Sequence, residues 1–154
     1  MKRSIFFLAV VFSSTSAFCQ EVYHFTKALD IDASYRYGRE ALYTDAFLYQ
    51  LYSQNLKRPI EGDSLQVGPN NQFAKWVSVS SDSSNWFKGR GGFGGGGGYT
   101  YLAYNSEKKQ AALLNIKGNS AVVVNGVLHA GDPYAAGYLY VPILLEKGLN
   151  EFYA

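Results

Sequence analysis

The chain has two histidines, His24 and His129, and imidazole is the side chain best suited to acid–base work or metal binding near neutral pH. His129 stands three residues before Asp132, so one loop offers two ligands. A catalytic zinc takes three, and Glu151 or Asp82 would have to be brought from elsewhere to complete the set, so no metal site is expected. Loops of β-sandwich modules often bind calcium through carboxylates and carbonyls, which leaves calcium a separate chance, but no Asp-x-Asp-x-Asp-Gly string supports it and no cofactor is assigned. Neither Gly-x-Ser-x-Gly nor His-Glu-x-x-His occurs. Asp30 and Asp32 have the spacing of a carboxylate pair, but sugar hydrolysis needs two acids roughly 5–9 Å apart across a cleft. No catalytic residue is assigned, and the chain is not expected to be an enzyme by itself.

Aromatic side chains offer a different chemistry. There are thirteen Tyr, ten Phe and two Trp. Rings presented on loops can stack on sugar faces, although rings also fill cores and interfaces. Trp86 follows the turn cluster Asp82-Ser83-Ser84-Asn85, and Tyr134 follows Gly131-Asp132-Pro133. Trp86, Tyr134 and Asp132 are therefore the candidate ligand-binding residues. The glycine run Gly91-Gly92-Phe93-Gly94-Gly95-Gly96-Gly97-Gly98 looks like a phosphate cradle, but no Gly-Lys-Ser/Thr follows and Tyr99-Thr100-Tyr101-Leu102 reads as a strand. It is expected to be a flexible loop.

The elements that must position these residues are mostly short strands. Ala74 to Ser80 alternates, with Trp76 in phase with Ser78 and Ser80, and Val77 with Val79 on the other face. Further strands are expected over 99–104, 111–116 and 138–145, the last at an edge because of Pro142. Ala121 to Val124, then Asn125-Gly126, then Val127-Leu128-His129 predicts a type I′ hairpin, whose twist matches that of its strands. Apolar residues at three- and four-residue spacing predict one short helical segment near residues 39–54, possible breakage at Thr44-Asp45 leaving a shorter helix that starts near Asp45. The fold class is mainly β: an antiparallel β-sandwich, jelly-roll-like.

The first nineteen residues read as a secretory signal peptide. Lys2 and Arg3 carry charge, Ile5 to Phe12 form the apolar run, and Ala17 and Cys19 suit cleavage before Gln20. The run is far shorter than the roughly 20 residues of a membrane span. The product is expected in the periplasm or outside the cell. Lipoprotein anchoring at Cys19 is the alternative, against which Phe18 stands in the place of a small residue. Cleavage removes two of fourteen cations and none of twelve acids, leaving a formally neutral chain without cysteine. That balance excludes nucleic acid as a partner. The chain stops within Leu149-Asn150-Glu151-Phe152-Tyr153-Ala154, which reads as a strand just begun and predicts a longer polypeptide.

From Trp76 onward the residues carry a resemblance. They include Trp76-Val77-Ser78-Val79, Val122-Val123-Val124-Asn125-Gly126, Ala130-Gly131-Asp132-Pro133-Tyr134, and Val141-Pro142-Ile143-Leu144-Leu145-Glu146-Lys147-Gly148-Leu149-Asn150-Glu151. A Val-Asn-Gly turn, an Asp-bearing turn and Pro-x-x-Leu-x-x-Gly-x-Asn are similar to jelly-roll, galactose-binding-like modules of secreted bacterial hydrolases. The order resembles the N-terminal module ahead of an α/β-hydrolase domain in prolyl-oligopeptidase-like proteins. The resemblance covers residues 74–154 and implies a non-catalytic accessory module of a peptidase- or esterase-like enzyme, whose partner is the catalytic domain of the same polypeptide. The catalytic residues of such an enzyme would lie beyond Ala154. The glycine run departs from the pattern. The expected organisation is signal peptide 1–19, an N-terminal segment 20–73 with the short helix, and a β-sandwich module 74–154, truncated at its C-terminal strand. A free-standing carbohydrate-binding module is the alternative function.

Overall fold

A computed structural model of the chain describes residues 21–32, 46–68, 72–87 and 98–154. The expected signal peptide, most of the glycine run and the start of the expected helical segment lie outside the described residues. Within them the order is β1 (Lys27–Asp32), α1 (Ala46–Tyr52), β2 (Ser64–Gly68), β3 (Gln72–Lys75), β4 (Val77–Ser80), β5 (Gly98–Ser106), β6 (Gln110–Asn115), β7 (Ala121–Val124), β8 (Val127–Ala130), β9 (Tyr140–Leu145) and β10 (Gly148–Tyr153). The protein is mainly β, with antiparallel sheets packed face to face in a sandwich. Among the described residues no helix is long and apolar enough to cross a membrane.

Six strands form the central sheet in the order β4-β1-β5-β10-β7-β8. Two ribbons, β2-β3 and β6-β9, complete the strands. The central sheet is covered on both faces. On one side Ile31, Tyr101, Val123 and Tyr153 meet Phe47 of α1, Leu65 of β2 and Trp76. On the other, Val122, Val124 and Phe152 meet Val141, Ile143 and Leu145 of β9 and Ile116 just after β6. Double coverage explains why Val122-Val123-Val124 is an unbroken apolar run: neighbours in a strand point to opposite faces, and both faces are core. Phe47 anchors the helix side, stacking on Tyr99 at 3.8 Å between ring centroids. Burying such a ring contributes about 2–3 kcal/mol.

The expected hairpin is present. Val124 pairs with Val127, and Asn125 and Gly126 take φ of 49° and 82°, the two positive angles of a type I′ turn. The stretch 74–80 differs from a single strand. It breaks at Trp76, whose N–H donates to the Asp63 carbonyl and whose carbonyl accepts from Gly62. The chain changes sheets there, from the β2-β3 ribbon to the edge of the central sheet. Trp76 is thereby buried although in phase with the exposed Ser78 and Ser80. The boundary expected between residues 73 and 74 falls inside β3, and β1 lies between β4 and β5, so the two stretches share one sheet. Leu149 to Tyr153 belong to β10, an inner strand paired with β5 over its length and with β7 at Phe152 and Tyr153.

Candidate functional site

The three candidate ligand-binding residues fall on two loops that meet at Lys117. Both loops are built alike. Asp82 accepts the N–H groups of Ser84 and Trp86 on Oδ1, at 2.8 and 3.1 Å. Its own N–H donates to the Trp86 carbonyl, and Asn85 takes φ of 63°. Asp132 accepts the N–H of Ala136 on Oδ1 at 3.1 Å and that of Gly137 on Oδ2 at 2.7 Å. Its carbonyl accepts from Ala135, which takes φ of 53°, and from Gly118 in the β6–β7 connection. Short acidic side chains hold turns this way because they reach backbone donors a few residues ahead. Gly131 ties the second loop to the first connection: its N–H donates to Ser120, and a Cβ there would run into the Asn119 carbonyl oxygen.

The rings these loops carry are open to solvent. Tyr134 is 92% exposed and Tyr138 80%, while Trp86 is 37% exposed. The Lys117 ammonium sits over the Trp86 ring, 5.9 Å from its centroid, and the Lys117 stem lies beside Gly137. Such a cation–π contact at an exposed site contributes about 0.5–1 kcal/mol, so Lys117 exchanges it readily. Asp132 is buried, and both oxygens of its carboxylate accept N–H groups of its own loop. Lys117 was not expected from sequence, where one lysine before a glycine gives no sign of what it will face. Trp76 and Tyr101 are core.

The acid–base candidates are dispersed. His24 is exposed ahead of β1, and His129 is half-buried on β8. Asp30 is buried and accepts the Thr100 hydroxyl across β1 and β5. Among the described residues no three His, Cys, Asp or Glu side chains are grouped to hold a metal ion.

A second polar cluster lies on the helix side of β10. Glu151 Oε1 accepts from Arg58 Nε and from the Tyr101 hydroxyl, both at 2.8 Å. Burial, then the bond to Glu151, holds the Tyr101 phenol well above its ordinary pKa, and burial beside Glu151 pushes Tyr153 up to about 12. The hydrogen bond to Glu151 also raises Arg58. A shallow cavity of about 220 Å³ adjoins it, lined by Lys57, Arg58, Asp63 and Trp76 among others.

The outer face of the β6-β9 ribbon is apolar. Ala111 pairs with Leu144, Leu113 with Pro142, and Asn115 with Tyr140. Leu113 is 57% exposed and Leu144 52%, while the alternate residues Val141, Ile143 and Leu145 fill the core. Apart from its ends, Asn115 among them, the ribbon is thus apolar on both faces.

No protein-family model matches the chain, and neither a curated protein nor a solved structure matches it.

Proposed function

We propose that this protein is a non-catalytic accessory β-sandwich module of an exported hydrolase, peptidase- or esterase-like, that packs on or positions a catalytic domain. The observation that carries the reading is the outer face of β6-β9. A two-stranded ribbon gains its stability from what covers it, and here Leu113, Pro142, Leu144 and Tyr140 are left facing solvent while the inner face is packed. Contiguous exposed apolar residues of this kind mark interaction surfaces.

The catalytic domain as occupant is supported by the residues that resemble galactose-binding-like modules of secreted hydrolases. Of that pattern Pro142 and Leu145 lie in β9 of this ribbon, and Gly148 and Asn150 lie in β10 of the central sheet. Export is supported by Lys2, Arg3, the apolar run and Ala17-Phe18-Cys19.

The test uses the native host. An antibody against this chain, applied to exported proteins, is expected to detect a polypeptide well above 17.0 kDa, or one bound to a heavier protein, that a fluorophosphonate probe for serine hydrolases labels. An unlabelled band no heavier than 17.0 kDa with no labelled companion overturns the proposal.

A further inference from the structure

We infer that the loop surface carrying Trp86, Lys117, Tyr134 and Tyr138 binds an acidic saccharide, a pyranose bearing a carboxylate. The inference uses other residues than the docking reading and stands or falls without it.

Exposed tyrosines on a mobile loop would need no explanation. Here the described part of each loop is held in shape. Each is locked by an aspartate that accepts two backbone N–H groups, Asp82 for one and Asp132 for the other. Each also contains a non-glycine residue at positive φ, Asn85 immediately before Trp86 and Ala135 immediately after Tyr134. Positive φ is unfavourable for alanine, and such strain persists where surrounding structure imposes it, commonly at ligand sites. The locked backbone presents Tyr134 and Tyr138 almost fully to solvent. Rings on a preordered backbone lose little freedom when a ligand arrives.

The ligand's chemistry follows from what the surface offers. Flat rings with a polar tip suit the C–H face of a pyranose and its hydroxyls. Lys117 supplies charge: it forms no ion pair among the described residues and rests on the Trp86 ring. Asp82 and Asp132, the acids of the two loops, aim carboxylate oxygens at their own backbone. A ligand carboxylate would draw the ammonium from Trp86 and free that ring to stack. A neutral sugar offers the ammonium no new partner, so it must displace Lys117 from the ring without that gain.

Affinity electrophoresis of the full chain in gels containing polygalacturonate tests this, with the methyl-esterified polymer as the uncharged counterpart. Polygalacturonate is expected to retard the protein, and the esterified polymer to bind about tenfold more weakly. Tyr134→Ala and Lys117→Met should each weaken binding about tenfold, with melting temperatures close to the parent's. Lys108→Met, a charge change in the exposed β5–β6 turn, should leave binding as it was. Three results would each overturn the inference: no retardation by polygalacturonate, equal retardation by both polymers, or Lys108→Met weakening binding as much as Lys117→Met. The last would mean simple ion exchange.

Discussion

The turn at Asn125-Gly126 and the loop from Asp132 to Gly137 stand at opposite ends of β8, and both are held by a polar side chain that captures backbone groups. They differ in reach. Asn150, 0% exposed, accepts from Asn125 Nδ2 and from the Glu146 N–H at 2.8 Å, and donates to the carbonyls of Glu146 and Gly148 at 2.9 Å. Asn125 in turn accepts the Glu151 N–H on Oδ1 and donates its own N–H to the Glu151 carbonyl. This clamp joins the β7–β8 turn, the β9–β10 turn and β10. Asp132 captures only Ala136 and Gly137, in its own loop. A buried long-range network holds strands in register, whereas a local one sets the shape of a loop and leaves its rings free. The first device makes the fold, and the second makes a surface.

The comparison breaks first at Asn150. Asn150→Ala takes a fully buried partner from the Glu146 N–H, the Glu146 and Gly148 carbonyls and the Asn125 amide. Each such group costs about 1–3 kcal/mol, so a loss of about 3 kcal/mol or more is expected in urea unfolding. A loss below about 1 kcal/mol would show that water replaces the clamp and that the two regions do not differ.

Asp132→Ala should cost less, about 1–2 kcal/mol, because water can reach the freed donors. Its signature is locality. Amide exchange should quicken at Ala136 and Gly137 and stay unchanged at Glu146 and Glu151. Faster exchange at both ends of β8 would join what the comparison separates.

The smallest effect concerns the face of β10 opposite Asn150. Tyr101 and Tyr153 hold their protons more tightly in the folded protein than at the ordinary phenol value near 10. Their contribution is therefore complete below pH about 10, and it falls as pH rises further, because the unfolded chain loses those protons first. The melting temperature should decline between pH 10 and about 12, and Tyr153→Phe should make the decline shallower. An unchanged slope in Tyr153→Phe would remove Tyr153 from that account.

Where local backbone preference decides, the sequence alone was sufficient. Asn125-Gly126 between valine runs makes its hairpin because both residues accept positive φ. The expected strands over 99–104, 111–116 and 138–145 correspond to β5, β6 and β9, and α1 lies within the expected helical stretch. Trp86 and Tyr134 were legible as rings beside turns. β1 was not: Lys27 to Asp32 mixes charge with apolar residues, and it becomes a strand because β4 and β5 pair with it on both sides. β2 likewise follows from β3.

Only the tertiary structure decided the rest. Trp76 is buried because the chain changes sheets around it, not because of its phase in an alternating run. Asp132 became a support for its loop, and Lys117 became part of the aromatic surface, because the loops after β4, β6 and β8 converge. Asn150 meets Asn125 from 25 residues away, and Arg58 meets Glu151 from 93. Turn preferences act over a few residues and are written in neighbouring side chains. Which distant side chains meet depends on the register of every strand between them, and that register is settled by burial of both faces of one sheet.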